Sequence, residues 1–195
     1  IEWSGIWVTD ADDPNVTRAL LVGDSIVRGY FAGVEKELGK DVSCSRYTTS
    51  KFLSHPDFLA ELSLLLTRFE FAVIHLNNGL HGWGYTEDDY RRGLTQLIAL
   101  LKEKAPKAKL VWALTTPVRV GNDIEKIHEE RTPRVIQRNA IAREIMAAQD
   151  VPINDLYGLV AGHTPFFSND GTHFSEVGRA AQAKQVAEAI SAQLP

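Results

Sequence analysis

The chain has one cysteine, Cys44, so no intrachain disulfide can form, and the count fits a cytoplasmic or an exported protein equally. No apolar run approaches the roughly 20 residues needed to cross a bilayer, and no basic-then-apolar leader opens the chain. Because the first residue is Ile1 and not Met, a leader removed beforehand is compatible with this start. The 21 basic residues are outnumbered by 25 acidic ones and form no stripe, which argues against a nucleic-acid partner. Phosphate-cradling loops are missing as well: there is no Gly-x-x-x-x-Gly-Lys-Ser/Thr, and Gly79, Gly82 and Gly84 do not have dinucleotide-site spacing. His128-Glu129-Glu130 lacks the second His of a zinc-protease helix, so neither a metal nor a cofactor is expected. Nor is there a Gly-x-Ser-x-Gly elbow. With no repeat, low-complexity tract or Pro/Gly/Ser-rich boundary, residues 1–195 read as a single domain, with 1–17 an N-terminal extension packed on the body through Trp3 and Trp7. Nothing in the pattern assigns an oligomeric state.

What is present is an alternation. Strand-length apolar runs recur at 18–23, 41–47, 70–77, 108–116 and 151–155, separated by segments of helical periodicity. That order predicts an α/β fold with a five-stranded parallel sheet and helices on both faces. The clearest helix is predicted from about Thr86 to Lys104, with Thr86 as cap and Glu87, Asp88 and Asp89 complementing its positive end. Another runs from about Ser175 to Leu194, burying Val177, Ala181, Val186 and Ile190. Pro133 is placed to open a helix reaching about Ala148, and the polar stretch from Arg119 to Thr132 reads as a loop. His75, inside a strand, is expected to be a packed core residue.

In such sheets ligands bind beyond the carboxyl ends of the strands, which directs attention to Gly23-Asp24-Ser25, Thr48-Thr49-Ser50, Asn77-Asn78-Gly79-Leu80-His81 and Thr115-Thr116-Pro117. Ser25 follows a buried strand and precedes a helix, where unpaired backbone N–H groups favour a developing oxyanion; a plain helix cap is the alternative. Asp170 and His173, three residues apart ahead of the last helix, can supply a carboxylate-oriented base, or can be a turn former and a solvated helix-start residue.

Taken together, Gly23-Asp24-Ser25, continued by Ile26, Arg28, Gly29 and Tyr30, and Asp170-x-x-His173 resemble the GDSL, or SGNH, hydrolase family over about Arg18 to Ile190. The resemblance implies a flavodoxin-like three-layer α/β/α fold, with Ser25 as nucleophile, His173 as base and Asp170 orienting it. It also implies an oxyanion hole, for which Asn77 is the favoured side-chain donor with Asn78 as the alternative; the amide of Ser50 stands where the family has a glycine donor. The block Asn77-Asn78-Gly79-Leu80-His81 is similar to an Asn-x-Gly-Leu-His variant of one branch. Asp24, His81, Trp83 and Arg119 are candidate substrate contacts, with Tyr85 a further loop aromatic. The implied activity is ester hydrolysis through an acyl-enzyme, on O-acyl groups of carbohydrates or other small esters. An acyltransferase with the same triad and a catalytically silent carbohydrate-binding domain are the alternatives.

Overall fold

The computed structural model describes residues 2–194. Its central sheet contains β1 (Ser4–Val8), β2 (Arg18–Gly23), β3 (Ser43–Thr49), β4 (Val73–Leu76), β5 (Lys109–Ala113) and, beyond a separate hairpin, β8 (Ile153–Asn154). The spatial order is β1-β3-β2-β4-β5-β8. All neighbours are parallel except β1, which pairs antiparallel with β3. The expected parallel sheet of five strands is therefore present, extended by one strand from the N-terminal segment.

The helices are α1 (Ser25–Leu38), α2 (Pro56–Arg68), α3 (Glu87–Lys104), α4 (Arg131–Ala148), α5 (Leu156–Ala161) and α6 (Glu176–Ser191). Strand residues alternate between two cores. In β2, Ala19 and Leu21 join residues of α1, α5 and α6, while Leu20 and Val22 join α2, α3 and α4. A strand buried on both faces has no polar side, which is why residues 19–22 and 111–114, all buried, appear as continuous apolar runs. The cap of α3 is reciprocal: Thr86 Oγ1 accepts from the Asp89 amide while Asp89 accepts from the Thr86 amide.

Three details differ from the sequence reading. Residues Arg119–Val120 (β6) and Asp123–Ile127 (β7) form an antiparallel hairpin instead of a loop, closed by Asn122 at a positive φ of 65°. Val177 is 64% exposed and Trp7 58% exposed, so neither packs against the body. Strand β1 was illegible because nearly all its residues face solvent and show no apolar alternation.

Helices α1 and α6 pack closely against each other. A Cβ on Gly33 would stand 2.6 Å from the Ala183 Cβ, so only glycine permits this approach.

His75 is fully buried and accepts a hydrogen bond at Nε2 from the Asn154 side-chain amide, 3.0 Å away. Burial pushes its pKa down to about 3. The unfolded chain takes up a proton near pH 6.5 that the folded chain refuses until about pH 3, so stability rises with pH through this interval and is lost as pH falls. His75 alone is expected to lower unfolding free energy by roughly 2 kcal/mol from pH 7 to pH 5, measured by urea denaturation. A His75→Gln variant that retains the whole loss would assign it to other groups.

Candidate active site

The site begins with the junction of β2 and α1. Asp24, not Ser25, caps α1: its Oδ1 accepts the Ile26 amide at 2.9 Å. Ser25 thereby becomes the first residue of the helix, where its own amide has no intrahelical acceptor. Asp24 is 3% exposed, which makes it a structural cap and not the substrate contact expected of it. Burial raises its pKa, opposed by the nearby imidazoles of His81 and His173 and by the Ile26 N–H.

Across the cleft, Ser25 Oγ lies 2.8 Å from His173 Nε2, and His173 Nδ1 lies 2.6 Å from Asp170 Oδ2. The other carboxylate oxygen of Asp170 accepts from the amides of Thr172 and His173 and from the Ser168 hydroxyl. Partial burial works against the charge on Asp170, yet these hydrogen bonds overcome it and hold the pKa far below the usual carboxylate range. An ionised Asp170 fixes the tautomer with the proton on Nδ1, leaving Nε2 free to accept from the serine hydroxyl.

The Asp170 turn is held from outside by the hairpin. The Arg119 amide donates to the Gly171 carbonyl at 2.7 Å, and the Asn122 amide to Asn169 at the same distance. Gly171 has a φ of +74°, and a side chain there would collide with the Arg119 carbonyl. Arg119 is itself buried, with its guanidinium donating to Ile124 and Ala161 carbonyls and stacked over Phe167. It supports the acid-bearing turn and is not available to a substrate carboxylate, contrary to the expectation from sequence.

The oxyanion candidates separate clearly. Both amide hydrogens of Asn77 are donated inward, to the Ala113 carbonyl at 2.8 Å and to Thr115 Oγ1 at 3.1 Å. Thr115 is fixed in turn by both ends of the Asn139 amide. Asn77 thus ties β4 to β5, and the sequence preference for it as oxyanion donor is not supported by its bonding. Asn78 gives one hydrogen to the Lys51 carbonyl at 2.9 Å and retains a second. The Ser50 amide donates to the Trp3 carbonyl at 3.0 Å just beyond the β1–β3 ladder, so it is engaged and not directed at the cleft.

His81 is half-buried, with Nε2 4.0 Å from Asp24 Oδ2. Trp83 is half-buried beneath the guanidinium groups of Arg131, Arg134 and Arg138. It is a structural element of the loop more than an open platform. Tyr85, 45% exposed, packs on Phe52.

Arg138 was overlooked in the sequence. Its guanidinium donates to the carbonyls of Gly79, His81 and Gly82, and Arg134 reaches those of Trp83 and Tyr85. The two arginines of α4 thereby satisfy the backbone of the loop that follows Asn78. A sign was available: Val135, Arg138, Asn139, Ala142 and Met146 fall at one-face helical spacing, placing a charge and an amide on the buried stripe. Neither polar group would sit there without acceptors to satisfy it.

An open parallel sheet with a hydrogen-bonded Ser–His–Asp chain beyond its carboxyl edge is an arrangement of the kind serine hydrolases use. The profile of the GDSL-like lipase/acylhydrolase family matches residues 21–181, and the chain belongs to that family of carboxylic ester hydrolases. Its fold is shared by an aryl esterase from M. smegmatis (TM-score 0.77, 16% identity, 92% of this chain and 100% of that chain). It is shared also by a lipase/acylhydrolase from Enterococcus faecalis (0.72, 20%, 92% and 98%). A carbohydrate acetylesterase from Sinorhizobium meliloti is similar too (0.73, 12%, 90% and 99%). At these identities the likeness establishes the fold. None of the curated proteins matches the chain significantly. Among the described residues, no helix is long and apolar enough to cross a membrane.

Removing the Arg138 clamp should be felt throughout this loop. Arg138→Ala leaves three carbonyls without their donor and is expected to cost about 2–4 kcal/mol in urea unfolding. Arg138→Lys should fall between it and the native protein, because an ammonium cannot reproduce the guanidinium fork. Wild-type stability in Arg138→Ala would contradict the clamp.

Proposed function

We propose that the protein is a serine ester hydrolase working through an acyl-enzyme, with Ser25, His173 and Asp170 as its triad. The observation that carries this reading is the continuous hydrogen-bond chain from Ser25 Oγ through His173 to Asp170, with the serine on the first residue of a helix. As Ser25 Oγ bonds to the ester carbonyl carbon, its proton passes to His173 Nε2, and Asp170 stabilises the imidazolium. The negative carbonyl oxygen is received by the Ser25 amide and the spare hydrogen of Asn78. Collapse expels the alcohol, which takes the proton from His173. Water then loses a proton to His173 and attacks the acyl-enzyme, releasing the acid and restoring Ser25.

The cleft beside Ser25 and His173 has a volume of about 240 Å³, which suits a small ester. Together with the polar loops around it and the carbohydrate acetylesterase and aryl esterase among the fold's relatives, this supports acetyl-type groups on carbohydrates or other small alcohols as substrate class.

With p-nitrophenyl acetate, Ser25→Ala and His173→Ala are each expected to lower kcat by roughly 10⁴-fold or more while far-UV circular dichroism is unchanged. Near-normal turnover by either variant would remove that residue from the assigned role.

The oxyanion assignment is tested by a pair of substitutions. Asn78→Ala should lower kcat about 10²- to 10³-fold with little change in KM, since its bond strengthens as charge develops. Asn77→Ala should chiefly lower the unfolding temperature, because it breaks the tie to Ala113 and Thr115. The reverse pattern would return the donor role to Asn77.

A further inference from the structure

The cleft that exposes Ser25 and His173 is also lined by Arg28 and Arg179. Arg28 stands one turn along α1 from Ser25, hence on the same helix face. Arg179 belongs to the first turns of α6, and its stem crosses α1 at Gly29, where a Cβ would already lie 3.3 Å from the Arg179 Cδ. The two arginine side chains therefore border one cleft from two elements.

Their lack of partners is informative. The buried arginines use their terminal nitrogens on the backbone: Arg18 donates to the carbonyls of Asp10 and Asp13, and Arg119, Arg134 and Arg138 to those named above, whereas Arg46, Arg68 and Arg131, which line no part of this cleft, have no carboxylate within ion-pair distance among the described residues. On the surface, Arg91, Arg92 and Arg143 each pair with a carboxylate. Among the described residues, no carboxylate lies within ion-pair distance of Arg28 or Arg179, Glu176 one turn before Arg179 included. Arg28 rests on the Trp3 ring, its CZ 4.8 Å from the centroid, which orients the guanidinium without neutralising it. In a chain of net charge -4, two uncompensated cations beside the nucleophile are a local feature.

We infer that the ester carries an anionic group, a carboxylate or phosphate, on its alcohol portion, and that Arg28 and Arg179 bind it. The inference rests on the assignment of Ser25 and His173 above. It places the charge on the alcohol because the leaving oxygen must face His173 Nε2 to take its proton, and His173 borders this cleft. The oxyanion side, with Asn78 and His81, opens on a different and much smaller space. Guanidinium groups suit this task because their planar fork matches carboxylate and phosphate oxygens.

The test compares 4-acetoxybenzoate with the neutral 4-acetoxybenzamide, each rate normalised to its hydroxide-catalysed hydrolysis, together with calorimetric binding of 4-hydroxybenzoate and 4-hydroxybenzamide. Wild type is expected to favour the anionic ester in kcat/KM by about tenfold to a hundredfold, with each of Arg28→Ala and Arg179→Ala removing up to about tenfold. The double variant should bring the ratio near one, and raised salt should compress it. Arg68→Ala, at the opposite end of the sheet, controls for net charge and should leave the ratio intact. A wild-type ratio near one, or a ratio that survives the double variant, overturns the inference. So does a preference for mono-4-nitrophenyl glutarate over p-nitrophenyl acetate without one for 4-acetoxybenzoate, which would move the charge to the acyl side. Equal activity of wild type and Ser25→Ala on every ester would instead refute the hydrolase reading. The calorimetric arm would still decide the arginine site, since arginine-dependent preference for 4-hydroxybenzoate needs no turnover.

Discussion

A loop at the catalytic edge of a parallel sheet must turn sharply without leaving its carbonyls unpaired, and here a buried guanidinium meets that constraint. Arg138 collects three carbonyl acceptors of the segment after Asn78, with Arg134 continuing the series. Withdrawing an arginine from water is costly, and burial pulls its pKa down, with the neighbouring Arg134 adding to the effect. The return is a loop backbone with one arrangement. Asn78 and His81 are positioned by that arrangement, not by bonds of their own to the sheet.

The same logic governs the acid-bearing turn. Asp170 and His173 lie on one exposed segment, and exposed turns are ordinarily mobile. Hydrogen bonds from the β6–β7 hairpin, and Arg119 threaded beneath it, convert this turn into a fixed support. Two arginines that a surface inventory would count as solubilising charge are structural members of the site.

What could be read from the sequence followed from local chemistry. The strand runs and the cap at Thr86 were visible because each depends on residue type at short spacing; Gly23-Asp24-Ser25 and Asp170-x-x-His173 are local motifs too, but only the family resemblance joined them across the chain. The hairpin of Arg119–Ile127 and the edge strand Ser4–Val8 were not, because their pairing is long-range or their residues mostly solvated. The choice between Asn77 and Asn78 depended on which amide had already spent its hydrogens, and that is decided by Ala113, Thr115 and Lys51, far along the chain. Ser50 was misread for a related reason: its amide is taken by Trp3, from a strand that the pattern concealed.

The contact of Gly33 with Ala183 has a consequence for chemistry at a distance. In the proposed mechanism base and acid, His173 and Asp170, travel together on one turn ahead of α6, whereas Ser25 travels with α1, so the spacing between the helices would act as a gauge for that pair. Closely packed interiors transmit displacement with little loss. A single methyl group inserted at this seam, well away from any substrate, would be converted into a longer reach between the serine oxygen and the imidazole. Small residues here set a tolerance for the reaction as much as they fill a core.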